Sequence, residues 1–187
     1  ALTMGGVAKN MTAKIRDFGM VPAGTYQINF EVQATDVETG EIAATSTFNL
    51  QFIVPVIQEI SLHHEVPRIV LGANDAFKKQ QKVTNETSPL VYINSNCDWE
   101  LSVNADNFGD AAGNYFVRTV SASSNVGERL LERVQLTSGK EIVIARGKAP
   151  ANNEFVSVEY SLENADGKAI PCGNYENRVK YVLRERR

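Results

Sequence analysis

Residues 24–54 read GTYQINFEVQATDVETGEIAATSTFNLQFIV, and their apolar side chains recur with a period of two. From Tyr26 to Ala34 every second residue is apolar, and the residues between them are Gln, Asn or Glu. This alternation predicts a strand with one buried face and one solvated face. The stretch DVETG at 36–40 reads as a turn, since Gly40 can adopt a positive φ. A second alternating run follows, so we predict a β-hairpin over 24–54.

The same period continues through the rest of the chain, with Gly, Asn and Asp turns between the alternating runs. We predict about nine strands and no amphipathic helix, and we interpret 125–134 as a strand entered from a turn. Many short strands joined by such turns predict an all-β sandwich or barrel. We expect a loop at 72–88 and further strands within 56–71, 89–104, 115–120, 130–136, 142–145, 155–162 and 175–183.

Composition excludes several classes of protein. The chain has 187 residues, of which 43% are hydrophobic and 22% charged, as in ordinary globular proteins. The net charge of −3 argues against a general nucleic-acid binder. No apolar run approaches the roughly 20 residues that a membrane span requires, so we predict no span and no membrane partner.

A short motif occurs twice and bears on domain organisation. Residues 21–26 (VPAGTY) resemble residues 170–175 (IPCGNY), with Pro, Gly and Tyr at matching positions. We therefore divide the chain into 1–56, an N-terminal segment plus the hairpin, and 57–187, a β-sandwich domain. A lone hairpin is marginal in water. Three explanations stay open: the first domain has lost strands by processing, the hairpin joins the second sandwich, or another chain supplies the missing strands.

The two cysteines, Cys97 and Cys172, lie outside any CxxC pair. An even count in a β-rich chain predicts one disulfide between them, because exported β-sandwiches often carry a single bridge. Two reduced, buried thiols are the alternative.

Residues with catalytic or metal-binding chemistry are few. The only histidines, His63 and His64, are adjacent, so a strand would point them to opposite faces; Glu65 beside them makes at most a weak metal site. Asp98 and Glu100 flank Trp99, either as a polar ridge for sugar or cation or, as we prefer, as a solvated strand face. No hydrolase, zinc-protease or nucleotide-binding motif occurs. We predict no catalytic, cofactor or metal site and a protein that is not an enzyme.

Segment 1–19 suggests a way in which the chain could assemble with other subunits. Val7, Met11, Ala13 and Ile15 alternate with smaller or polar residues, Lys9 interrupts the row, and no hairpin partner precedes Gly19. Such a segment can add as a donated strand to the open sheet edge of another subunit. Head-to-tail addition does not close on itself and produces a filament. A first strand of the chain's own domain, or a frayed terminus, is the alternative.

Residues 93–103 (INSNCDWELSV), followed by a final strand that begins with Gly173-Asn174-Tyr175, resemble the immunoglobulin-like domains of bacterial fimbrial and surface proteins. The resemblance covers 57–187. It departs from the antibody pattern, in which a tyrosine precedes the second cysteine by two residues, because Tyr175 follows Cys172.

The resemblance implies an immunoglobulin-like sandwich that is exported to the bacterial surface. It further implies a structural subunit of a pilus or fimbria, which joins copies of itself or related subunits through donated strands. The alternative function is an adhesin-like module that recognises carbohydrate or a host protein, and exposed aromatic side chains near Trp99 or Tyr115 would favour it.

Overall fold

The computed structural model describes residues 20–63, 69, 82–84, 88–106, 114–163 and 177–186. Within these ranges the chain is all-β, as predicted. It forms strands, turns and bends without a helix, so none of its described elements is a helix that could cross a bilayer. The strands are β1 (Gly24–Thr35), β2 (Ile42–Val54), β3 (Gln58–His63), β4 (Lys82–Thr84), β5 (Leu90–Ser95), β6 (Trp99–Asp106), β7 (Asn114–Ala122), β8 (Val126–Arg129), β9 (Val134–Gln135), β10 (Glu141–Gly147), β11 (Ala151–Glu163) and β12 (Arg178–Glu185).

The strands form three antiparallel sheets. β1 and β2 pair only with each other, and we call them the hairpin. The remaining strands form two larger sheets, which we call the sandwich. Its four-stranded sheet has the order β12-β6-β10-β8. Its six-stranded sheet has the order β3-β5-β11-β7-β9, and β4 pairs with β11 beyond the end of β5. Neither sandwich sheet includes the hairpin.

The two sandwich sheets enclose one apolar core. Alternation along β5 buries Val91 and Ile93 completely and leaves Leu90 and Tyr92 half-buried, because successive side chains point to opposite faces of a strand. The core contains residues from both sheets: Val91, Ile93, Trp99, Leu101, Val103, Ala105, Val117, Val126, Leu136, Ile142, Ile144, Ala145, Ala151, Val156, Val158 and Tyr160.

Two contacts tie particular elements of the sandwich together. The indole of Trp99 packs directly on the backbone of Gly147 in the neighbouring strand β10, where no side chain intervenes. The hydroxyls of Tyr160 and Tyr181, which come from different sheets, lie 2.6 Å apart. Burial raises the pKa of both phenols, that of Tyr181 to about 12. A buried hydroxyl pair satisfies polar groups that would otherwise destabilise the core.

The outer surface of the four-stranded sheet carries ion pairs that join its strands. Arg146 on β10 contacts Glu100 on β6 at 2.7 Å and Glu128 on β8 at 2.8 Å. Arg184 on β12 contacts Glu141 on β10 at 2.8 Å. Opposite charges facing each other across strands stabilise a sheet modestly, by about 0.2–1 kcal/mol per pair. This surface is therefore the solvated side of the sheet.

The structure differs from the predicted strands in two places. We predicted a loop over 72–88, but Lys82–Thr84 forms β4 and pairs with the end of β11. We predicted one strand over 130–136, but only β9 (Val134–Gln135) forms within that range, and the chain leaves β8 at Leu130. There the N–H of Leu130 donates to Ile144 of one sheet, and its carbonyl accepts from Thr119 of the other. The chain crosses between the sheets at this residue.

The described residues therefore contain twelve strands instead of the nine or so that we predicted, because β4, β8 and β9 are too short to show a period. The interpretation of 125–134 as a strand entered from a turn is confirmed only for its first half: a turn at 124–125 leads into β8, whereas residues 130–133 are not in a strand.

Candidate functional site: the hairpin and its junction with the sandwich

The hairpin over 24–54 forms as predicted, and its turn is fixed by Asp36. One carboxylate oxygen of Asp36 accepts hydrogen bonds from the backbone N–H of Glu38 at 2.8 Å and of Thr39 at 2.9 Å. These two donors hold the pKa of Asp36 below its ordinary value. Gly40 takes a φ of 73°, a conformation that suits glycine, and its N–H donates to the carbonyl of Asp36.

Register gives the hairpin two chemically different faces. Cross-strand partners of an antiparallel pair lie on the same face. Tyr26 pairs with Phe52, Ile28 with Leu50 and Phe30 with Phe48, whereas the pairs between them are Gln27 with Gln51, Asn29 with Asn49 and Glu31 with Thr47. We call the first surface the apolar face and the second the polar face. The apolar face consists of Tyr26, Ile28, Phe30, Val32, Phe48, Leu50 and Phe52.

The apolar face is open to solvent. Phe48 is 49% exposed, Leu50 is 39% exposed, and Ile28 and Val32 are each 37% exposed. Aromatic rings stack across the strands, with centroids 5.3 Å apart for Tyr26 and Phe52 and 4.9 Å apart for Phe30 and Phe48. These stacks join neighbours within the face but do not cover it. The other three side chains of the face, those of Tyr26, Phe30 and Phe52, are half-buried.

Asn96 connects the base of the hairpin to the sandwich. Its side-chain oxygen accepts from the N–H of Ile57 at 2.7 Å, and its side-chain nitrogen donates to the carbonyl of Pro55 at 2.9 Å. Its backbone N–H donates to Ile57, and its carbonyl accepts from Ala23. Asn96 is only 3% exposed. One buried residue therefore holds both ends of the hairpin.

The motif at 21–26 has a local explanation in the structure. The hydroxyl of Tyr26 donates to the carbonyl of Pro22 at 2.7 Å, so the ring lies on the apolar face while its polar end closes the entry to β1. The matching motif at 170–175 lies outside the described residues, and the repeat stays a prediction.

The structure describes only one of the two cysteines of the predicted disulfide, Cys97. Cys97 is half-buried and forms no disulfide with a described residue, and its Sγ is hydrogen-bonded to the hydroxyl of Ser95 at 3.5 Å. Its predicted partner, Cys172, lies outside the described residues, and the bridge between them stays a prediction.

The carboxylates beside Trp99 are engaged in ion pairs. Asp98 contacts Lys148 at 2.6 Å and accepts from the N–H of Ala149 at 3.0 Å. The hydrogen bond from Lys148 is the main reason that the pKa of Asp98 lies below its ordinary value. Glu100 pairs with Arg146. Since both carboxylates are paired with basic side chains, Asp98 and Glu100 fit a solvated strand face better than a polar ridge that binds sugar or a cation.

The structure gives little support to Trp99 and Tyr115 as sugar-binding aromatic residues or to His63 as a metal ligand. Trp99 is 1% exposed and Tyr115 is half-buried, so Trp99 offers no surface to a sugar. His63 is exposed, and its ring meets the edge of Tyr92 with centroids 5.9 Å apart. Its neighbours His64 and Glu65 lie outside the described residues. Within the described part of the chain, no three His, Cys, Asp or Glu side chains are grouped as metal ligands.

The donor-strand candidates Val7, Met11, Ala13 and Ile15 lie outside the described residues, so their role stays a prediction. Asn96 is the residue that sequence reasoning missed. Its turn position next to β5 is visible in the sequence, but its partners Pro55 and Ile57 lie about 40 positions earlier. No local signal identifies it as the link between hairpin and sandwich.

The chain matches no protein-family model, and searches of curated proteins and of solved structures found no match either.

Proposed function

We propose that the chain is a non-enzymatic structural subunit of an exported bacterial surface filament, in which segment 1–19 of one subunit adds as a strand to the hairpin of another. One observation carries this proposal: the hairpin is a separate two-stranded sheet whose apolar face is exposed. An isolated two-stranded hairpin is marginal in water. Strands from outside the described residues are therefore needed to complete it.

The hairpin offers edges for such a strand. Among the described strands, β1 pairs only with β2 and β2 only with β1. Each therefore has an outer edge of backbone N–H and C=O groups that can bind an extended segment. Long edges of this kind otherwise cause aggregation, and natural proteins cover or interrupt them.

Charge and patterning match segment 1–19 to these edges. The hairpin contains four acidic and no basic residues, whereas 1–19 contains three basic residues and one acidic residue. If 10–16 is extended, Met11, Ala13 and Ile15 lie on one side and Lys14 and Arg16 on the other. Beside β1, the apolar side would extend the apolar face, and the basic side would lie on the polar face with Glu31.

This mode of joining predicts a filament. The donated segment and the accepting edge are different surfaces, so each subunit can accept one strand and donate another. The exported, bacterial setting is the part of the proposal that depends on the resemblance at 93–103.

The test uses light scattering and negative-stain microscopy on the non-reduced full chain and on two double variants. Met11→Asp with Ile15→Asp places two charges on the apolar side of the segment. Asn10→Asp with Thr12→Asp places the same two charges on its polar side and is the control. We expect filaments or ladders from the wild type and the control, and none from the first variant. A monomer in all three samples would contradict strand donation and would direct attention to glycan and protein ligands of an adhesin.

A further inference from the structure

The outer edge of β12 is the longest open strand edge of the sandwich. All eight residues of β12 pair with β6 on one side, and no described strand pairs with them on the other. The strands at the other ends of the two sheets are shorter, with four residues in β8, six in β3 and two in β9. Natural proteins shorten, cover or otherwise protect strand edges, so an edge of this length is a candidate site for strand addition.

The core is less well covered at β12 than at the next strand. The inward side chains of β12 are half-buried, although each is paired with an inward side chain of β6 that is completely buried. These pairs are Val179 with Ala105, Tyr181 with Val103, and Leu183 with Leu101. The edge strand β3 of the other sheet lies beside β12, and its Leu62 is 60% exposed. Apolar side chains of an added strand would cover these groups.

The solvated side of β12 is basic. Alternation places Arg178, Lys180 and Arg184 on this side, and all three are exposed. Arg184 pairs with Glu141, whereas Arg178 and Lys180 have no acidic partner among the described residues. The single acidic residue of β12, Glu185, is its last residue and falls on the other side. The solvated side of this edge therefore has an excess of positive charge.

Charge decides which strand fits this edge. Opposite charges that face each other across paired strands stabilise the pair, and like charges destabilise it. A strand beside β12 should therefore carry acidic side chains on its solvated side and apolar side chains on its inward side. Segment 10–16 does not fit, because its polar side carries Lys14 and Arg16. No stretch of the chain outside the described residues alternates apolar with acidic residues, so the fitting strand belongs to a different polypeptide.

We propose that the outer edge of β12 binds an extended segment of a different protein, in which apolar side chains alternate with acidic ones. The bound segment continues the four-stranded sheet beyond β12. Its apolar residues lie beside Tyr181 and Leu183, and its acidic residues lie beside Arg178 and Lys180. This edge is separate from the hairpin and does not depend on segment 1–19. The chain thus presents an acidic hairpin to a basic strand and a basic edge to an acidic strand.

Fluorescence anisotropy with two labelled peptides tests the proposal on the non-reduced full chain. Both peptides have eight residues, the length of β12. Val alternates with Glu in one peptide and with Lys in the other. We expect saturable binding of the Val–Glu peptide, tighter than that of the Val–Lys peptide by roughly tenfold or more, because several facing charges change sign. No binding of the Val–Glu peptide, or equal affinity for both peptides, would overturn the proposal.

Charge reversal locates the binding on β12. Arg178→Glu with Lys180→Glu reverses the two basic side chains that have no acidic partner. Arg129→Glu with Lys140→Glu makes the same change in net charge away from β12 and is the matched control, since both residues are exposed. We expect the first variant to bind the Val–Glu peptide weaker by roughly tenfold or more, and the control to bind it like the wild type. Equal affinities of the two variants would contradict a site on β12.

Cross-linking maps the site without altering the edge. A photoreactive Val–Glu peptide is bound to the wild-type chain, and the linked residues are identified by mass spectrometry. We expect links to 178–185 or to 58–63. Links to the hairpin at 24–54 instead would overturn the proposal. The expected links must also form in Met11→Asp with Ile15→Asp, in which donation of segment 1–19 is blocked, so a failure of strand donation is distinguished from a failure of this proposal.

Discussion

At Gly147 the addition of a single methyl group, in Gly147→Ala, should greatly lower the free energy of unfolding of the sandwich. A Cβ atom built there would lie 2.7 Å from Nε1 of Trp99 and closer still to two carbons of the same ring. Real Cβ atoms do not approach ring atoms so closely. Trp99 is 1% exposed and fixed within the core, so the ring cannot move aside without leaving its site.

The magnitude follows from what Gly147→Ala forces. Overpacking a filled core costs about 1–3 kcal/mol when the neighbours adjust slightly. Expelling a buried aromatic costs about 3–5 kcal/mol. We expect the free energy of unfolding of the sandwich to fall by about 3 kcal/mol, which corresponds to a Tm lower by about 6–12 °C in a domain of this size.

The assay is urea unfolding followed by tryptophan fluorescence, because Trp99 is the only tryptophan in the chain. Gly127→Ala on the adjacent strand β8 is the control, since its Cβ would meet the nearest atom at an ordinary 3.8 Å. We expect a red-shifted native emission and a lower urea midpoint for Gly147→Ala alone. A Gly147→Ala protein within about 1 kcal/mol of wild type, with unchanged emission, would refute the packing described for Trp99.

Three further predictions concern the junction, the core and the cysteines. Asn96→Ala should speed hydrogen exchange at the base of the hairpin while the sandwich core stays protected, and should cost about 1–3 kcal/mol, because two backbone groups lose their partners; equal exchange in both proteins would contradict this role. Because burial raises the pKa of Tyr160 and Tyr181 above the unfolded value near 10, their contribution is complete below pH 10 and is lost as the pH rises towards 12; urea midpoints measured from pH 9 to 11.5 should fall, and Tyr181→Phe should flatten the decline. Peptide mapping without reductant should find Cys97 joined to Cys172, and reduction should destabilise the chain by about 3–5 kcal/mol; recovery of both cysteines as alkylated thiols would exclude the bridge.

The period-two pattern could predict the hairpin and the central strands because each of those strands has one apolar and one polar side. Tyr26, Ile28 and Phe30 alternate with Gln and Asn, and Trp99, Leu101 and Val103 alternate in the same way. Both runs form strands in the structure. Alternation identifies a strand and its apolar side, but it does not identify what covers that side.

The features that the sequence could not predict depend on distant residues. β4 is only three residues long and exists because β11, almost 80 positions later, provides its partner. The break at Leu130 arises because its two backbone groups bond to different sheets. Asn96 acts on Pro55 and Ile57 in the same long-range manner. The sequence next to β4, Leu130 and Asn96 contains no signal that identifies their distant partners.

The central claim is that strands from another copy complete the hairpin, and an isotope-mixing experiment tests it most directly. A photoreactive residue replaces Ala13 in chains of natural isotopic composition, which are assembled with unsubstituted chains labelled with ¹⁵N. The proposal predicts cross-linked peptides in which position 13 is unlabelled and a hairpin segment from 24–35 or 42–54 carries ¹⁵N. Cross-links confined to unlabelled chains, or none that reach the hairpin, would contradict strand exchange between subunits.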